Sequence, residues 1–145
     1  MSATATPIQR YETGGGVVIY QQRMLLLNRP TRQEVRLPKG HIDPGESPVM
    51  TSLRETGEES GYVDLLILAD LGSQVVTFQR DGQQYIRTEF YFLMTLQSET
   101  QIARPPEDAT QFQPIWTPLP EAVAALTFEA EKNIARKAIE AYARL

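Results

Sequence analysis

The sequence predicts an α/β (α+β) fold in which helices flank a mixed β-sheet within one domain. Its 145 residues are close to the common length of single domains. Hydrophobic residues make up 41% of the chain and charged residues 22%, which is an ordinary globular composition. Segments with strand character alternate with segments at helical spacing, with no internal repeat or interdomain linker. We expect a flexible N-terminus over residues 1–12 and the folded domain over residues 13–145.

The composition excludes several classes of function. The chain has no cysteine, which excludes disulfide scaffolds, thiolate metal sites and cysteine nucleophiles. Its one histidine, His41, excludes multi-histidine zinc sites. The net charge of −4 argues against a nucleic-acid partner, although a local basic cluster could still hold a small phosphorylated substrate. No apolar run approaches the ~20 residues of a membrane span and the first residues do not resemble a signal peptide, so we expect a cytoplasmic protein with no membrane partner.

Two strands are predicted near the start of the domain. Gly15–Tyr20 and Met24–Leu27 are apolar runs joined by the polar turn Gln21-Gln22-Arg23. A polar loop, a short apolar step and an irregular loop with two prolines and two glycines come next. These three segments are residues 28–33, 35–37 and 38–45.

A helix is predicted over residues 48–60. Ser47 is a suitable N-cap and Pro48 a suitable first helical residue, while Gly61 supplies a C-terminal stop. The apolar residues between them follow helical spacing, with Thr56 on the face that should be buried.

Strands and two further helices are predicted in the rest of the chain. Asp81-Gly82 is a hairpin turn signal between two strands. The predicted strands cover residues 62–71, 73–79, 85–96 and 113–116, with a proline-containing loop at 104–108. The helices cover residues 118–126 and 129–145, and the second of them has an amphipathic pattern.

Three glutamates on the helix predicted at 48–60 carry the main chemical signal. Glu55, Glu58 and Glu59 are spaced i, i+3 and i+4, so their carboxylates share about one third of the helix circumference. Like charges this close repel one another. A divalent cation such as Mg²⁺, which prefers hard oxygen ligands, would neutralise them. A solvated acidic surface is the alternative for an isolated cluster of this kind.

A longer pattern around these glutamates favours the metal site. The sequence matches Gly-x5-Glu-x7-Arg-Glu-U-x-Glu-Glu-x-Gly-U, where U is an apolar residue, at every fixed position. The matching residues are Gly40, Glu46, Arg54, Glu55, Glu58, Glu59 and Gly61, with Thr56 and Tyr62 at the U positions. This pattern resembles the signature of the Nudix hydrolase family. The resemblance implies a mixed β-sheet sandwiched between helices and the hydrolysis of a nucleoside diphosphate linked to another group.

The resemblance also implies roles for individual residues. Glu55, Glu58, Glu59 and the Gly40 carbonyl would hold Mg²⁺ or Mn²⁺. An ion pair between Arg54 and Glu46 would orient the helix against its loop; an ordinary surface salt bridge is the alternative. The proton of the attacking water would pass to Glu55 or Glu59, or to an acidic residue of a later loop, for which Glu107 is the candidate.

Other residues are candidates for binding the substrate. Arg36 and Lys39 beside the motif could bind phosphates, or could be solvated loop residues. Phe78 could stack on a base, and it stands where dinucleoside-polyphosphate members of the family have a tyrosine. His41 lies within the loop and is expected to pack there or to support the site from behind.

The predicted substrate is a dinucleoside polyphosphate such as diadenosine tetra- or hexaphosphate. The segments LPKGHIDPGE and YFLM and the C-terminal stretch are similar to that group of Nudix hydrolases. A MutT-like hydrolase of (oxidised) nucleoside triphosphates is the second interpretation, and ADP-ribose and diphosphoinositol polyphosphates are further alternatives. A catalytically silent domain that senses a nucleotide is an alternative of another class. The sequence makes no prediction of oligomeric state.

Overall fold

A computed structural model describes residues 7–145 of the chain. This part contains seven strands, four α-helices and a short 3-10 turn at Pro30–Arg32. The strands are β1 (Gln9–Tyr20), β2 (Arg23–Arg29), β3 (Glu34–Arg36), β4 (Lys39–His41), β5 (Leu65–Arg80), β6 (Gln83–Leu96) and β7 (Gln113–Pro118). The helices are α1 (Pro48–Ser60), α2 (Pro106–Gln111), α3 (Leu119–Ala125) and α4 (Glu129–Ala143). No helix within residues 7–145 is long and apolar enough to cross a membrane.

The strands form one mixed sheet with the order β3-β2-β1-β6-β5. Strands β1 and β6 are parallel, while the pairs β1/β2, β2/β3 and β5/β6 are antiparallel. Strand β1 is long enough to serve two groups of partners, because its last residues pair with β2 and its earlier residues pair with β4 and β6. Strand β7 pairs with β2. The predicted mixed sheet is confirmed.

Helices cover both faces of this sheet. Successive side chains of a strand point to opposite faces, and along β1 Val17 belongs to one core cluster while Val18 belongs to the other. The first cluster packs against α3 and α4 through residues such as Ala122 and Ile134, and the second packs against Leu53 of α1. The predicted sandwich of helices around a sheet is therefore confirmed.

Local signals place the tight turns and α1 as predicted. Asp81 and Gly82 have φ of 51° and 76°, the positive values of a two-residue hairpin turn. The Ser47 hydroxyl accepts the N–H of Met50 at 3.2 Å, and Gly61 ends α1 with a φ of 85°. The predicted helix over 48–60 is confirmed from end to end.

Long-range pairing changes several other predictions. Residues 9–12, predicted to be part of a flexible terminus, belong to β1 because they pair in parallel with Tyr85–Thr88; residues 1–6 of that prediction lie outside the described part of the chain. The irregular loop at 38–45 contains the short strand β4, which pairs with β1. The strands predicted at 62–71 and 73–79 are one strand, β5, whose pairing with β6 shifts register around Gly72. The proline-containing loop predicted at 104–108 is wrong over residues 106–108, because these residues form the first turn of α2.

Candidate active site

Two glycines bring α1 against the sheet. Gly14 of β1 and Gly40 of β4 pair directly across the two strands. A Cβ atom on Gly14 would lie 2.7 Å from the carbonyl oxygen of Pro48 at the start of α1. A Cβ atom on Gly40 would lie 2.1 Å from Cδ of Glu55. The absence of both side chains therefore lets the helix and its acidic face approach the strands.

Arg54 connects α1 with the loop that precedes it. Its Nε donates to one oxygen of Glu46 at 2.7 Å and its Nη2 donates to the other at 2.9 Å, which is a bidentate pair. Nη2 also donates to the His41 carbonyl at 3.1 Å. Hydrogen bonds from Arg54 and Thr51 hold the pKa of Glu46 down to about 2. The predicted ion pair is confirmed, and it fastens the loop to the helix at several points.

The same guanidinium contacts two of the three signature glutamates. Arg54 Nη1 donates to Oε1 of Glu55 at 2.9 Å and to Oε2 of Glu58 at 3.2 Å. Glu55 is only 16% exposed, whereas Glu58 is 37% exposed. Burial raises the pKa of the Glu55 carboxyl, against the opposing effect of Arg54.

Glu59 is the buried member of the three. It is 4% exposed, and its Oε1 accepts the backbone N–H of Lys39 at 2.8 Å. Burial raises the pKa of Glu59 to about 8, and the nearby charge of Glu55 acts in the same direction, while Arg36 opposes the shift. Because little positive charge offsets the ionised form of Glu59, a cation bound nearby would stabilise that form.

The donor set fits a divalent cation. Carboxylate and backbone carbonyl oxygens are hard ligands that suit Mg²⁺ or Mn²⁺. Within residues 7–145, no three acidic side chains already converge on one point. Arg54 holds Glu55 and Glu58, while Glu59 faces the N–H of Lys39. A cation held by Glu55 and Glu58 would compete with Arg54 for their carboxylates.

Helix α2 adds an acidic residue that the sequence analysis missed. Glu107, the predicted proton acceptor of a later loop, is exposed in the first turn of α2. Its neighbour Asp108 is half-buried, and burial together with the charge of Glu58 raises its pKa. The charge of Asp108 also contributes to the raised pKa of both Glu55 and Glu59. Asp108 is therefore the acidic residue of α2 whose charge acts on the signature glutamates, whereas Glu107 is exposed.

A cavity of about 280 Å³ lies between the sheet and the start of α4, and its lining includes residues of β3, β4, β5 and β6. All three residues predicted to bind substrate, Arg36, Lys39 and Phe78, line it. Phe78 stacks on Tyr85 with ring centroids 5.0 Å apart, and the Arg87 guanidinium lies 4.9 Å from the centroid of the Phe78 ring. The lining contains five cationic side chains and three carboxylates, a balance that suits an anionic ligand.

The two cationic candidates have different surroundings. The guanidinium of Arg36 lies over the Phe112 ring at 5.5 Å, and its Nε is buried without a hydrogen-bond partner within residues 7–145. Arg36 lines the cavity, and its charge also lowers the pKa of Glu59 on α1. The ammonium of Lys39 is instead engaged inside the protein, 3.1 Å from Glu131 and 3.6 Å from Glu89. Arg36 is therefore the better placed of the two to meet a phosphate.

His41, which the sequence analysis placed in a loop, is the last residue of β4 and packs against a side chain of β1. Its ring is nearly parallel to the ring of Tyr11, with centroids 4.5 Å apart and an interplanar angle of 5°. Its carbonyl oxygen accepts the hydrogen bond from Arg54 described above. Both contacts hold the segment next to Gly40 in place.

The chain matches a known protein family. The NUDIX domain family matches residues 10–141, which is nearly the whole described chain. The chain belongs to the Nudix family. The sequence-based assignment to that family is confirmed.

Relatives of this Nudix chain carry names of several activities. A Mycobacterium tuberculosis protein named mutator protein MutT4 is 34% identical over 105 residues, which cover 72% of this chain and 40% of that protein. A Lactococcus lactis protein named as a DHNTP pyrophosphohydrolase is 25% identical over 91 residues, or 60% of this chain and 55% of that protein. The bis(5'-nucleosyl)-tetraphosphatase of Sus scrofa is 67% identical, but over only 24 residues, 17% of this chain. The chain thus spans about half or less of the length of these relatives.

Solved structures show the same fold. A C. elegans Ap4A hydrolase in a binary complex superposes with a TM-score of 0.69 at 20% identity, covering 93% of this chain and 99% of that chain. A MutT protein from Bacillus halodurans superposes with a TM-score of 0.68 at 21% identity, covering 87% of this chain and 80% of that chain. At these identities the similarity is one of fold.

Proposed function

We propose that this Nudix chain is a divalent-metal-dependent hydrolase that cleaves a phosphoanhydride bond in a nucleoside diphosphate linked to another group. The observation that carries the proposal is the adjacency of two features. The acidic face of α1 presents Glu55, Glu58 and Glu59 beside Gly40. Lys39 connects this face to a cationic cavity with aromatic walls, because its backbone N–H bonds to Glu59 and the same residue lines the cavity. Arg36 lines the cavity and its charge acts on Glu59, so Arg36 would bind phosphates that extend from the cavity towards the acidic helix.

Different residues of the site would bind the metal, accept the proton and position the helix. Glu55, Glu58, Glu59 and the Gly40 carbonyl would hold Mg²⁺ or Mn²⁺. The cation, when bound, would lower the pKa of a water molecule and offset negative charge on the phosphoryl oxygens. A water oxygen forms a bond to phosphorus, the bridging P–O bond breaks, and the water proton passes to a carboxylate, for which Glu55 and Glu59 are the candidates. The ion pair between Arg54 and Glu46 would hold α1 and the loop before it in fixed relative positions during this step.

Asp108 replaces Glu107 as the proposed acidic residue contributed by α2. The charge of Asp108 raises the pKa of Glu55 and Glu59, and the charge of Glu58 raises the pKa of Asp108, whereas Glu107 is exposed. The two adjacent residues offer a matched pair of variants. We expect Asp108→Asn to lower kcat about tenfold and Glu107→Gln to change it less than twofold. Equal effects of the two substitutions would remove Asp108 from the proposed site.

The proposed substrate is a dinucleoside polyphosphate. The short match to the tetraphosphatase, the cationic lining of the cavity and the aromatic ring of Phe78 support this choice. A nucleoside triphosphate is the second candidate, because the longer match is to the protein named MutT4.

The test is a product analysis with purified protein and Mg²⁺. The panel contains diadenosine tetra- and hexaphosphate, 8-oxo-dGTP, ADP-ribose and a diphosphoinositol phosphate. The double variant Glu58→Gln, Glu59→Gln is compared with Glu121→Gln, which changes an exposed glutamate of α3. Metal-dependent cleavage of the dinucleotides that only the double variant loses would support the proposal. A preference for 8-oxo-dGTP would select the second candidate, and binding without turnover of any compound would favour a nucleotide sensor.

A further inference from the structure

The described structure buries a carboxylate, Glu131, that the proposed reaction does not use. Glu131 lies in the first turn of α4 and is 2% exposed. Its Oε1 accepts the backbone N–H of Leu37, and its Oε2 lies 3.1 Å from Nζ of Lys39. Both carboxylate oxygens therefore bond to the segment that leads into Gly40.

That segment is held from three sides. The carbonyl of Pro38 accepts the N–H of Gly16 on β1 at 3.1 Å. The side chain of Lys39 points towards α4 and bonds to Glu131, while the backbone N–H of the same residue donates to Glu59 on α1 at 2.8 Å. Lys39 thus joins α4 to the buried signature glutamate, although Glu131 lies 92 residues further along the chain.

The cost of burying this charge indicates a role beyond filling space. The inward residues of α4 that follow, Ile134, Ala135 and Ala138, are small or apolar. A charged carboxylate that is buried as deeply as these residues is stable only where hydrogen-bond donors satisfy both of its oxygens. Leu37 and Lys39 supply those donors, and they are the backbone and side chain that set the path of the loop.

We propose that Glu131 is a positioning residue for the metal site, because it holds residues 37–40 so that the Lys39 N–H stays aligned on Glu59 and Gly40 stays against Glu55. The inference rests on the proposed function only in taking Glu55 and Glu59 as metal ligands. A residue that orients a ligand from behind typically changes metal affinity or activity 10–100-fold when it is removed.

The experiment measures Mn²⁺ binding by electron paramagnetic resonance, well below the melting temperature of each variant. Glu131→Ala removes both acceptors, and we expect its dissociation constant for Mn²⁺ to rise about tenfold. Glu129→Gln, an exposed substitution in the same turn of α4, is the matched control and should leave Mn²⁺ affinity unchanged.

A second pair of variants covers the case in which Glu131→Ala fails to fold. Glu131→Gln keeps an acceptor for the Leu37 N–H but turns an amide donor towards the ammonium of Lys39, so Mn²⁺ binding should weaken several-fold. Adding Lys39→Met removes the conflicting ammonium and keeps the backbone N–H that bonds to Glu59, so Mn²⁺ affinity should return towards the wild-type value. Recovery of this kind is not expected if Glu131 merely fills space.

The results separate this inference from the proposed function. If the Glu131 variants melt at lower temperature but bind Mn²⁺ as tightly as wild type, the positioning role is overturned. If the wild type binds Mn²⁺, the variants bind it more weakly and no compound in the panel is hydrolysed, then the positioning role stands and the proposed function fails. A wild type that binds no Mn²⁺ overturns both.

Discussion

Replacing Gly40 by alanine would place a methyl group against the carboxyl of Glu55. The new Cβ would lie 2.1 Å from Cδ and 2.3 and 2.4 Å from the two oxygens. Carbon atoms pack at about 3.5 Å, so the carboxyl group would have to retreat by about 1.4 Å. The φ of Gly40 is not positive, and the end of a glutamate side chain turns easily. We therefore expect the fold to survive while the metal site is distorted.

The expected loss of activity follows from that displacement. Misplacing a catalytic group by about 1 Å costs about 100-fold in rate, which corresponds to about 2.7 kcal/mol of transition-state stabilisation. The assay is the Mg²⁺-dependent kcat on the best substrate of the panel, together with the dissociation constant for Mn²⁺ and the melting temperature.

Gly57→Ala supplies the matched control for this variant. Gly57 lies on α1, the helix that carries Glu55, and a Cβ atom there would meet only Cγ1 of Val63 at 3.1 Å and the Tyr62 carbonyl at 3.7 Å. It should keep kcat within about twofold, because no signature glutamate is displaced. A Gly40→Ala variant with wild-type kcat and Mn²⁺ affinity would refute the argument that this glycine makes room for Glu55.

Three smaller predictions concern stability and binding. The hydroxyl of Thr56 is buried with no hydrogen-bond partner within residues 7–145, so Thr56→Val should raise the free energy of unfolding by about 1 kcal/mol in urea denaturation; a decrease would show that the hydroxyl is satisfied. Ser47→Ala removes the cap on Met50 and should lower the free energy of unfolding by about 1 kcal/mol, whereas an unchanged value would deny the cap any role in stability. Phe78→Ala should raise KM for the nucleotide about tenfold with kcat nearly unchanged, and an unaltered KM would remove Phe78 from the binding wall.

Elements with local signals could be predicted from the sequence. Helix α1 begins after Ser47 and ends at Gly61 as expected, because the cap, the proline and the stop act within a few residues. The hairpin at Asp81-Gly82 has the same local origin. Strand β4 and the first residues of β1 were missed, because neither segment is apolar and their strand character depends on pairing with distant residues.

The site shows the same division between local and distant causes. The ion pair between Arg54 and Glu46 could be predicted because both residues belong to one signature. The internal ion pair of Lys39 could not, because its partners Glu131 and Glu89 lie far along the chain. Asp108 was not predicted, because its proline-containing segment was expected to be a loop and is instead the start of α2. Because successive residues of a helix point about 100° apart, Asp108 is partly buried while its neighbour Glu107 is exposed.

The central claim is that the acidic face of α1 supports metal-dependent attack of water on a phosphoanhydride. The most direct measurement is hydrolysis of diadenosine tetraphosphate in ¹⁸O-labelled water, with mass analysis of the nucleotide products, for wild type and Glu59→Gln. The account predicts one ¹⁸O atom in one phosphorylated product, a requirement for Mg²⁺ or Mn²⁺, and loss of turnover in Glu59→Gln. Turnover by wild type that persists in the presence of a chelator, or at an equal rate in Glu59→Gln, would contradict it.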